Sequence, residues 1–279
     1  MTQSAHDARP LDSARRIGVP LAAARAFALH SAAILAVEAR KMLRDPTDLF
    51  TRAVQPLLWL VIFGQVFTRT HAIPTGSLTY LEFMAPGVLA QSVLFTAIFY
   101  GIAVIWERDL GVVHKLLVSP SPRASLVLGK AMAAGIRTLS QAMIIVVLAL
   151  VMGVRVRLEP LPLIGLASAV MLGGALFATF SLIIACIVKT RDRFMGIGQL
   201  LTMPLFFASN AIYPVDLMPS WLRVVAQYNP LTYLVSALRA LMVGGGVGGP
   251  GLLLDFGVLA LVFVALVTLA AELLPGIVR

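Results

Sequence analysis

Six long stretches of mostly apolar residues alternate with polar connections along this chain of 279 residues. A helix needs about 20 predominantly apolar residues to cross the hydrocarbon core of a membrane. The stretches that meet this condition are residues 49–67, 83–106, 131–154, 161–188, 194–213 and 252–273. The pattern predicts an all-α integral membrane protein with six transmembrane helices. The first and last stretches are the least regular, because Arg52 and Asp255 lie within them.

Two segments precede the first predicted span. Residues 1–20 are polar and contain both Pro and Arg, which indicates a disordered cytoplasmic tail. Residues 21–46 place apolar and charged positions on opposite faces at helical spacing. This arrangement predicts an amphipathic helix in the membrane interface, and a soluble helix packed against another protein or a neighbouring loop is the alternative. The transmembrane domain then occupies residues 47–277.

The segment between the fifth and sixth spans, residues 214–243, is too interrupted to cross a membrane and too apolar for open water. Short helices that enter the outer leaflet and turn back would satisfy both conditions, provided that protein surrounds their backbone. We therefore predict a re-entrant helical segment. The residues that define it are Pro214, Pro219, Trp221, Asn229, Pro230 and Tyr233.

Composition agrees with a membrane environment, since 59% of the residues are hydrophobic and only 13% are charged. Most basic residues fall in the tail and in the connections after the second and fourth spans, so both termini are predicted to be cytoplasmic. Basic loops beside anionic lipid account for the net charge of +9 better than nucleic-acid binding does. The single cysteine, Cys186, excludes an intramolecular disulfide and a cysteine-based metal site.

The connection that follows the second span contains a short two-faced segment at residues 107–117. Its apolar and polar positions separate at helical spacing until a Ser-Pro-Ser-Pro sequence at residues 119–122 ends the pattern. Such a helix could dock into a cleft of a cytoplasmic partner. It could equally lie on the headgroups beside its own spans.

Two sequence strings carry a resemblance to a known family. The first reads E-R-x-x-G at residues 107–111, then L-L-V-S-P at 116–120 and L-G-K at 128–130. This string resembles the cytoplasmic loop of type-2 ABC export permeases.

The second string is more specific. It reads F-F-A-S-N-A-I-Y-P at residues 206–214, M-P-S-W-L at 218–222 and N-P-L-T-Y at 229–233, with Arg239 following. It is similar to the fifth span and re-entrant region of the same family, in the branch that contains daunorubicin-resistance and nodulation-factor permeases. The resemblance extends from about residue 47 to residue 275, with six spans in matching order.

The resemblance implies a permease subunit in the bacterial plasma membrane that pairs with a second permease and with two ATPase subunits. It implies export of an amphiphile such as a drug, a lipid or a glycan. ATP and Mg would bind to the ATPase, because this chain has no G-x-x-x-x-G-K-[ST] loop, and the chain itself would bind no cofactor and catalyse no reaction. The helix at 107–117 would be the coupling helix that contacts the ATPase. Its candidate contact residues are Glu107, Arg108, Leu110, Gly111, His114 and Lys115.

Two stripes of mixed polar and aromatic residues are candidates for the substrate pathway. One lies on the fifth span, at spacings of three and four residues, and the other lies on the second span. Amide, hydroxyl and aromatic groups on one face suit an amphiphile, although the same residue types also pack helices against each other in membranes. The stripes comprise Gln199, Thr202, Phe206 and Ser209, and Gln91, Phe95 and Phe99.

The third span contains one charge that is difficult to place in lipid. Arg137 lies on one stripe with Lys130 and Gln141, one to two turns inside the predicted span. Because a charge at this depth costs several kcal/mol unless it is paired or hydrated, Arg137 is expected to face protein, water or an anionic headgroup. A structural ion pair is favoured over direct substrate contact.

Two other classes of membrane protein are the alternatives. An ion-coupled secondary transporter normally needs ionisable groups near the middle of the membrane, whereas the carboxylates of Glu82, Asp255 and Glu272 lie toward span ends. An intramembrane enzyme is less favoured, because the sequence has neither H-E-x-x-H nor G-x-S-x-G.

Overall fold

A computed structural model describes residues 29, 40, 54–70, 75–76, 78–111, 123–188, 190–244 and 251–274. All regular secondary structure in these residues is helical. The helices in chain order are α1 (Val54–Thr68), α2 (Tyr80–Asp109), α3 (Arg123–Val151), α4 (Pro160–Ile187), α5 (Arg191–Phe207), α6 (Ser220–Tyr228), α7 (Pro230–Met242) and α8 (Leu252–Leu273). The predicted all-α class is confirmed for this part of the chain.

Four helices are long and apolar enough to cross a membrane, namely α2, α3, α4 and α8. They coincide closely with the second, third, fourth and sixth predicted spans, although α3 begins at Arg123 instead of residue 131. The first and fifth predicted spans correspond to the shorter helices α1 and α5. The predicted tail and nearly all of the amphipathic helix at 21–46 lie outside the described residues, as do residues 112–117.

Helix α5 ends at Phe207, six residues before the predicted end of the fifth span. The side-chain Nδ2 of Asn229 donates to the carbonyl oxygens of Leu205 and Ala208, at 2.7 and 2.9 Å. The last carbonyls of a helix have no partner inside the helix, so these two bonds satisfy them without further turns. Residues 208–213 consequently form turns.

Helices α2 and α4 are the most deeply buried spans, whereas α8 exposes most of its surface. Helix α2 begins with a capping box, in which Thr79 and Glu82 exchange hydrogen bonds between side chain and backbone. It then packs against α1, α3, α4, α5 and α7. Helix α2 therefore lies at the centre of the described bundle, in contact with five other helices.

Small residues permit close contacts at two places, between α2 and the turn after α5 and between α3 and α4. A Cβ atom added to Gly87 of α2 would lie 2.3 Å from the backbone oxygen of Ala211. A Cβ added to Gly135 of α3 would lie 2.9 Å from the backbone oxygen of Met171 in α4. Glycine at these positions lets the backbones approach each other, as small residues do in membrane helix pairs.

Candidate functional site

Charged side chains join the C-terminal end of α2 to the start of α3. Lys130 of α3 donates through Nζ to the Oε2 atom of Glu107 in the last turn of α2. Both side chains are largely buried, at 10% and 14% exposure, so solvent screens the pair only weakly. The contact therefore fixes the position of the end of α2 against α3.

The same end of α2 is also joined to the start of α5. One carboxylate oxygen of Asp109 accepts from Arg108 at 2.8 Å, and the other accepts from Nη2 of Arg191 at 2.9 Å. The Arg191 guanidinium lies 3.5 Å from the centroid of the Trp106 ring, where a cation–π attraction is favourable. We refer to these residues together as the end cluster. It comprises Trp106, Glu107, Arg108, Asp109, Lys130 and Arg191.

Helix α2 ends directly after the end cluster. Gly111 has a φ of +72°, and its N–H donates to the Arg108 carbonyl at 2.9 Å. Glycine adopts this left-handed conformation without a Cβ penalty, and it commonly ends helices for that reason. Glu107 and Arg108 therefore belong to α2, and Leu110 is exposed beside the turn. His114 and Lys115 lie outside the described residues.

A cavity of about 140 Å³ lies between α1 and α2. Three residues of the predicted second-span stripe, Gln91, Phe95 and Phe99, meet there. The complete lining is Gln55, Pro56, Gln91, Ser92, Phe95, Thr96 and Phe99. The stripe thus faces an open space that adjoins a neighbouring helix, and α1 supplies lining residues that the sequence did not single out.

Gln91, one of the residues that line the cavity, has a side-chain amide with unused hydrogen-bonding capacity. The residue is 2% exposed, and neither Oε1 nor Nε2 has a hydrogen-bond partner among the described residues. An unpaired buried amide costs roughly 1–3 kcal/mol in folding free energy. Any group that bonds to it inside the cavity would recover part of that cost.

The residues of the fifth-span stripe do not line the cavity between α1 and α2, and most of them are buried in other contacts. Thr202 and Ser209 are buried, and their hydroxyls donate to the carbonyls of Gly198 and Phe206 in their own chain segment. Phe206 is buried against Trp59 of α1, with ring centroids 6.0 Å apart. Of the four predicted residues, Gln199 alone is exposed.

The three residues of the third-span stripe, Lys130, Arg137 and Gln141, lie in three different environments. Lys130 belongs to the end cluster, and Arg137 is half-buried on α3. Gln141 is fully buried, and its amide has no hydrogen-bond partner in the part of the chain that the structure describes. None of the three lines the cavity between α1 and α2.

Residues of the predicted re-entrant motif form the boundaries of α6 and α7. Pro219 precedes α6, Pro230 is the first residue of α7, and Asn229 accepts from the Leu231 N–H at 3.0 Å as the N-terminal cap of α7. Tyr233 donates through its hydroxyl to the Gln227 carbonyl at 2.7 Å. Trp221 is exposed on α6, and Pro214 precedes a 3₁₀ turn at Val215–Leu217.

Arg239 of α7 has a role that the sequence analysis did not assign. Its Nη2 donates to the carbonyls of Asn210 and Phe83, at 2.7 and 3.3 Å, and its guanidinium lies 3.9 Å from the centroid of the Phe83 ring. The residue is 4% exposed. Arg239 thus joins α7 to the turn after α5 and to the start of α2. Its isolation as a charge within an apolar segment was the available sequence signal.

Comparison with known proteins identifies the family. A family model described as "ABC-2 type transporter" matches residues 31–243, which is more than half of the chain. The chain belongs to the ABC-2 type transporter family. This match confirms the resemblance to type-2 export permeases, and a multi-pass membrane protein agrees with the four long apolar helices.

Several known proteins are similar to most of this chain. A putative transport permease, ycf38, of Cyanophora paradoxa is 29% identical over 200 residues, covering 71% of this chain and 69% of the relative. The daunorubicin resistance ABC transporter permease protein DrrB1 of Streptomyces coeruleorubidus is 24% identical over 199 residues, covering 71% and 70%. Nodulation protein J of Rhizobium leguminosarum bv. trifolii is 26% identical over 171 residues, covering 61% and 64%.

Proposed function

We propose that this chain is the transmembrane permease subunit of an ATP-driven exporter that moves an amphiphilic drug, lipid or glycan out of the cytoplasm. A separate ATPase, present in two copies, would bind ATP and Mg, and a second permease subunit would complete the pathway. The observation that carries this proposal is the end cluster, which includes the first three residues of the predicted coupling segment at 107–117, in a member of the ABC-2 family.

The end cluster gives a physical route for the transmission of ATPase motion. Through Glu107 and Asp109, the end of α2 is bonded to both α3 and α5. A displacement of the connection after Gly111 would therefore act on three helices together. Packed elements of this kind move as units when a domain at one end changes its position.

The proposal includes six spans, with α1 and α5 completing the four long helices. The basic residues near the predicted cytoplasmic ends support placement of both termini in the cytoplasm of a bacterial cell. Several large apolar side chains on α1 are exposed, among them Leu58, Ile62 and Val66. These surfaces would contact lipid or the second permease subunit.

The proposal also places α6 and α7 as a re-entrant hairpin on the outer side. A Cβ on Gly173 would lie 2.6 Å from the Leu234 side chain, and one on Gly165 would lie 2.7 Å from the Leu241 side chain. Since α4 starts at Pro160, the start of α7 lies deeper along α4 than its end does. This direction is the one expected if the chain turns back at Asn229.

The test is co-purification followed by transport. The tagged chain should retain a soluble ATPase from its own cells, and vesicles containing both should export an amphiphile only when ATP is supplied. Gly111→Trp, placed at the end of α2, should reduce both ATPase retention and export. Gly111→Asn is the matched control, because Asn tolerates positive φ better than Trp does and adds a much smaller side chain. Full export by the Trp variant would contradict the coupling role.

One observation favours a second candidate, an ion-coupled transporter. Asp255 of α8 is 1% exposed, and its Oδ1 atom has no hydrogen-bond partner among the described residues. Buried carboxylates in membrane helices can bind protons during transport. Export that requires a proton gradient and proceeds without ATP would support this candidate.

A further inference from the structure

The cavity between α1 and α2 combines two aromatic rings with several uncharged polar groups. Phe95 and Phe99 lie one turn apart on α2, with ring centroids 6.1 Å apart, and both are partly exposed. Ser92, Thr96 and Gln91 lie on the same helix, and no charged residue lines the cavity. The lining therefore suits a neutral group with an aromatic face and a polar substituent.

Gln91 supplies the polar contact that such a group would need. Its amide offers a donor and an acceptor, and both are unpaired among the described residues. Ser92 already donates to the Val88 carbonyl at 3.0 Å, so its hydroxyl can serve only as an acceptor. The Nε2 group of Gln91 is consequently a buried, unpaired donor for a ligand carbonyl or hydroxyl oxygen, beside the Gln55 amide and the Thr96 hydroxyl that also line the cavity.

The volume restricts the size of the group. A hydrophobic cavity of about 150 Å³ in another protein accommodates benzene, so a cavity of about 140 Å³ has room for one six-membered ring with a small substituent. A whole lipid or oligosaccharide would not fit. The cavity would hold only the aromatic part of a larger amphiphile.

An aromatic stripe continues along α1 from the cavity. Gln55, which lines the cavity, is followed at intervals of four residues by Trp59, Phe63 and Phe67. Trp59 and Phe63 stack at 4.5 Å, and Phe63 and Phe67 lie 6.2 Å apart. A π-helical stretch at Trp59–Gly64 has more residues per turn than an α-helix, which keeps these positions on one face. The stripe ends beside Tyr80, 5.2 Å from Phe67.

We propose that the α1–α2 cavity binds an uncharged aromatic ring that carries a carbonyl or hydroxyl group, with Gln91 as its hydrogen-bond donor and Phe95 as its stacking partner. The aromatic stripe on α1 is then the surface along which the ring leaves toward Tyr80. This inference rests on the proposed export function, because it names the chemical class of the substrate.

Photolabelling with benzophenone tests the cavity directly. Benzophenone is a neutral aromatic ketone with two rings, one of which can enter the cavity while the other stays outside. Because its carbonyl inserts into nearby C–H bonds on illumination, the full chain in lipid nanodiscs can be labelled and mapped by mass spectrometry. We expect labelling of the segments at residues 54–57 and 91–99. Gln91→Leu should lower this labelling by roughly 3- to 10-fold, as the loss of one hydrogen bond in a desolvated site predicts. Phe95→Leu should lower it by a similar factor through lost ring contact.

The matched control is Gln141→Leu. Gln141 is also a buried glutamine with an unpaired amide within the described part of the chain, but it does not line the cavity. Its replacement should leave labelling unchanged. Equal loss in both glutamine variants would mean that the effect comes from the fold and would overturn the proposal.

Three small competitors separate the contribution of the aromatic ring from that of the carbonyl group. Acetophenone has the ring and the carbonyl, ethylbenzene has only the ring, and cyclohexyl methyl ketone has only the carbonyl. Acetophenone should compete with benzophenone at concentrations about 3-fold or more below those of the other two. If ethylbenzene competes equally well, the cavity is merely an apolar gap. If nothing labels residues 91–99, ligands do not enter it.

The labelling is independent of ATP, so its result can be distinguished from the export result. ATP-driven export without cavity labelling would overturn the inference and leave the proposed function intact. Cavity labelling in a chain that neither retains an ATPase nor exports with ATP would contradict the proposed function alone.

Discussion

Arg191, the first residue of α5, donates a hydrogen bond of 2.9 Å to the carboxylate of Asp109, the last residue of α2. The two residues are 82 positions apart in sequence. Both side chains are 37% exposed, so water screens their attraction. The contact therefore contributes little to stability, and we expect its main effect on how the helix ends move together.

Arg191→Gln and Asp109→Asn should each leave the free energy of unfolding nearly unchanged, as the loss of an exposed ion pair generally does. ATP-driven export should nevertheless fall several-fold in each single variant, with no further fall in the double variant. The measurements are thermal unfolding in detergent and initial export rates in vesicles. Additive losses of export in the double variant would show that the two side chains act separately.

The buried pair of Lys130 and Glu107 should behave differently. Removal of one partner leaves a charge in a poorly hydrated site, so Lys130→Met should destabilise the protein by about 3 kcal/mol. Lys130→Met combined with Glu107→Leu should recover much of this loss, because no buried charge remains. Thermal unfolding of both variants checks the expectation. A double variant that is less stable than Lys130→Met would contradict it.

Sequence periodicity predicted the helices that depend on local pattern alone. The last predicted span, 252–273, coincides with α8, because an uninterrupted apolar run determines both. The predicted end of the fifth span lies beyond the true end of α5. That end depends on hydrogen bonds from Asn229, which lies 21 positions after Ala208. Bonds of this kind between distant positions leave no periodic signal in the sequence.

For the candidate functional site, the sequence likewise predicted which residues share one helix face but not which helices meet. Spacing on one helix brought Gln91, Phe95 and Phe99 onto one face, and the structure places them in one cavity. Spacing could not supply Gln55 from α1 or the contact between Arg191 and Asp109, since each requires the mutual position of two helices. Thr202 and Ser209 share a stripe by spacing, yet their own backbone carbonyls accept their hydrogen bonds.

Asn229 is expected to be important for the stability of the segment after α5. Asn229→Ala removes two bonds to the end of α5 and the cap of α7, and should lower the free energy of unfolding by about 2–4 kcal/mol. Asn229→Asp keeps the cap but places a carboxylate beside two carbonyl oxygens, so it should destabilise at least as much. The control is Gln227→Ala, at an exposed position of α6. Thermal unfolding in detergent is the measurement. An Asp variant as stable as the unmodified chain would refute this account.

Replacement of Asp255 separates the two candidate energy sources. In an ATP-driven exporter, Asp255→Asn should retain most of the export activity, because Asn fills nearly the same space in the first turn of α8 and ATP-driven transport needs no proton-binding carboxylate there. In a proton-coupled transporter the same change would remove the ionisable group and abolish transport. Initial rates with ATP alone and with an imposed proton gradient alone distinguish these cases. Export by the unmodified chain that needs only the proton gradient and is lost in a folded Asn variant would speak against the proposed function.

Gly87→Ala tests the close contact between α2 and the turn after α5. The added Cβ would lie 2.3 Å from the Ala211 backbone oxygen, and backbone cannot move as easily as a side chain, so we expect a loss of about 2–3 kcal/mol in the free energy of unfolding. Gly196→Ala is the matched control. Its Cβ would meet no atom within 4 Å, and the higher helix propensity of alanine should stabilise α5 by up to about 1 kcal/mol. Thermal unfolding should therefore shift in opposite directions for the two variants. Equal shifts would mean that the close contact at Gly87 does not limit the packing of α2.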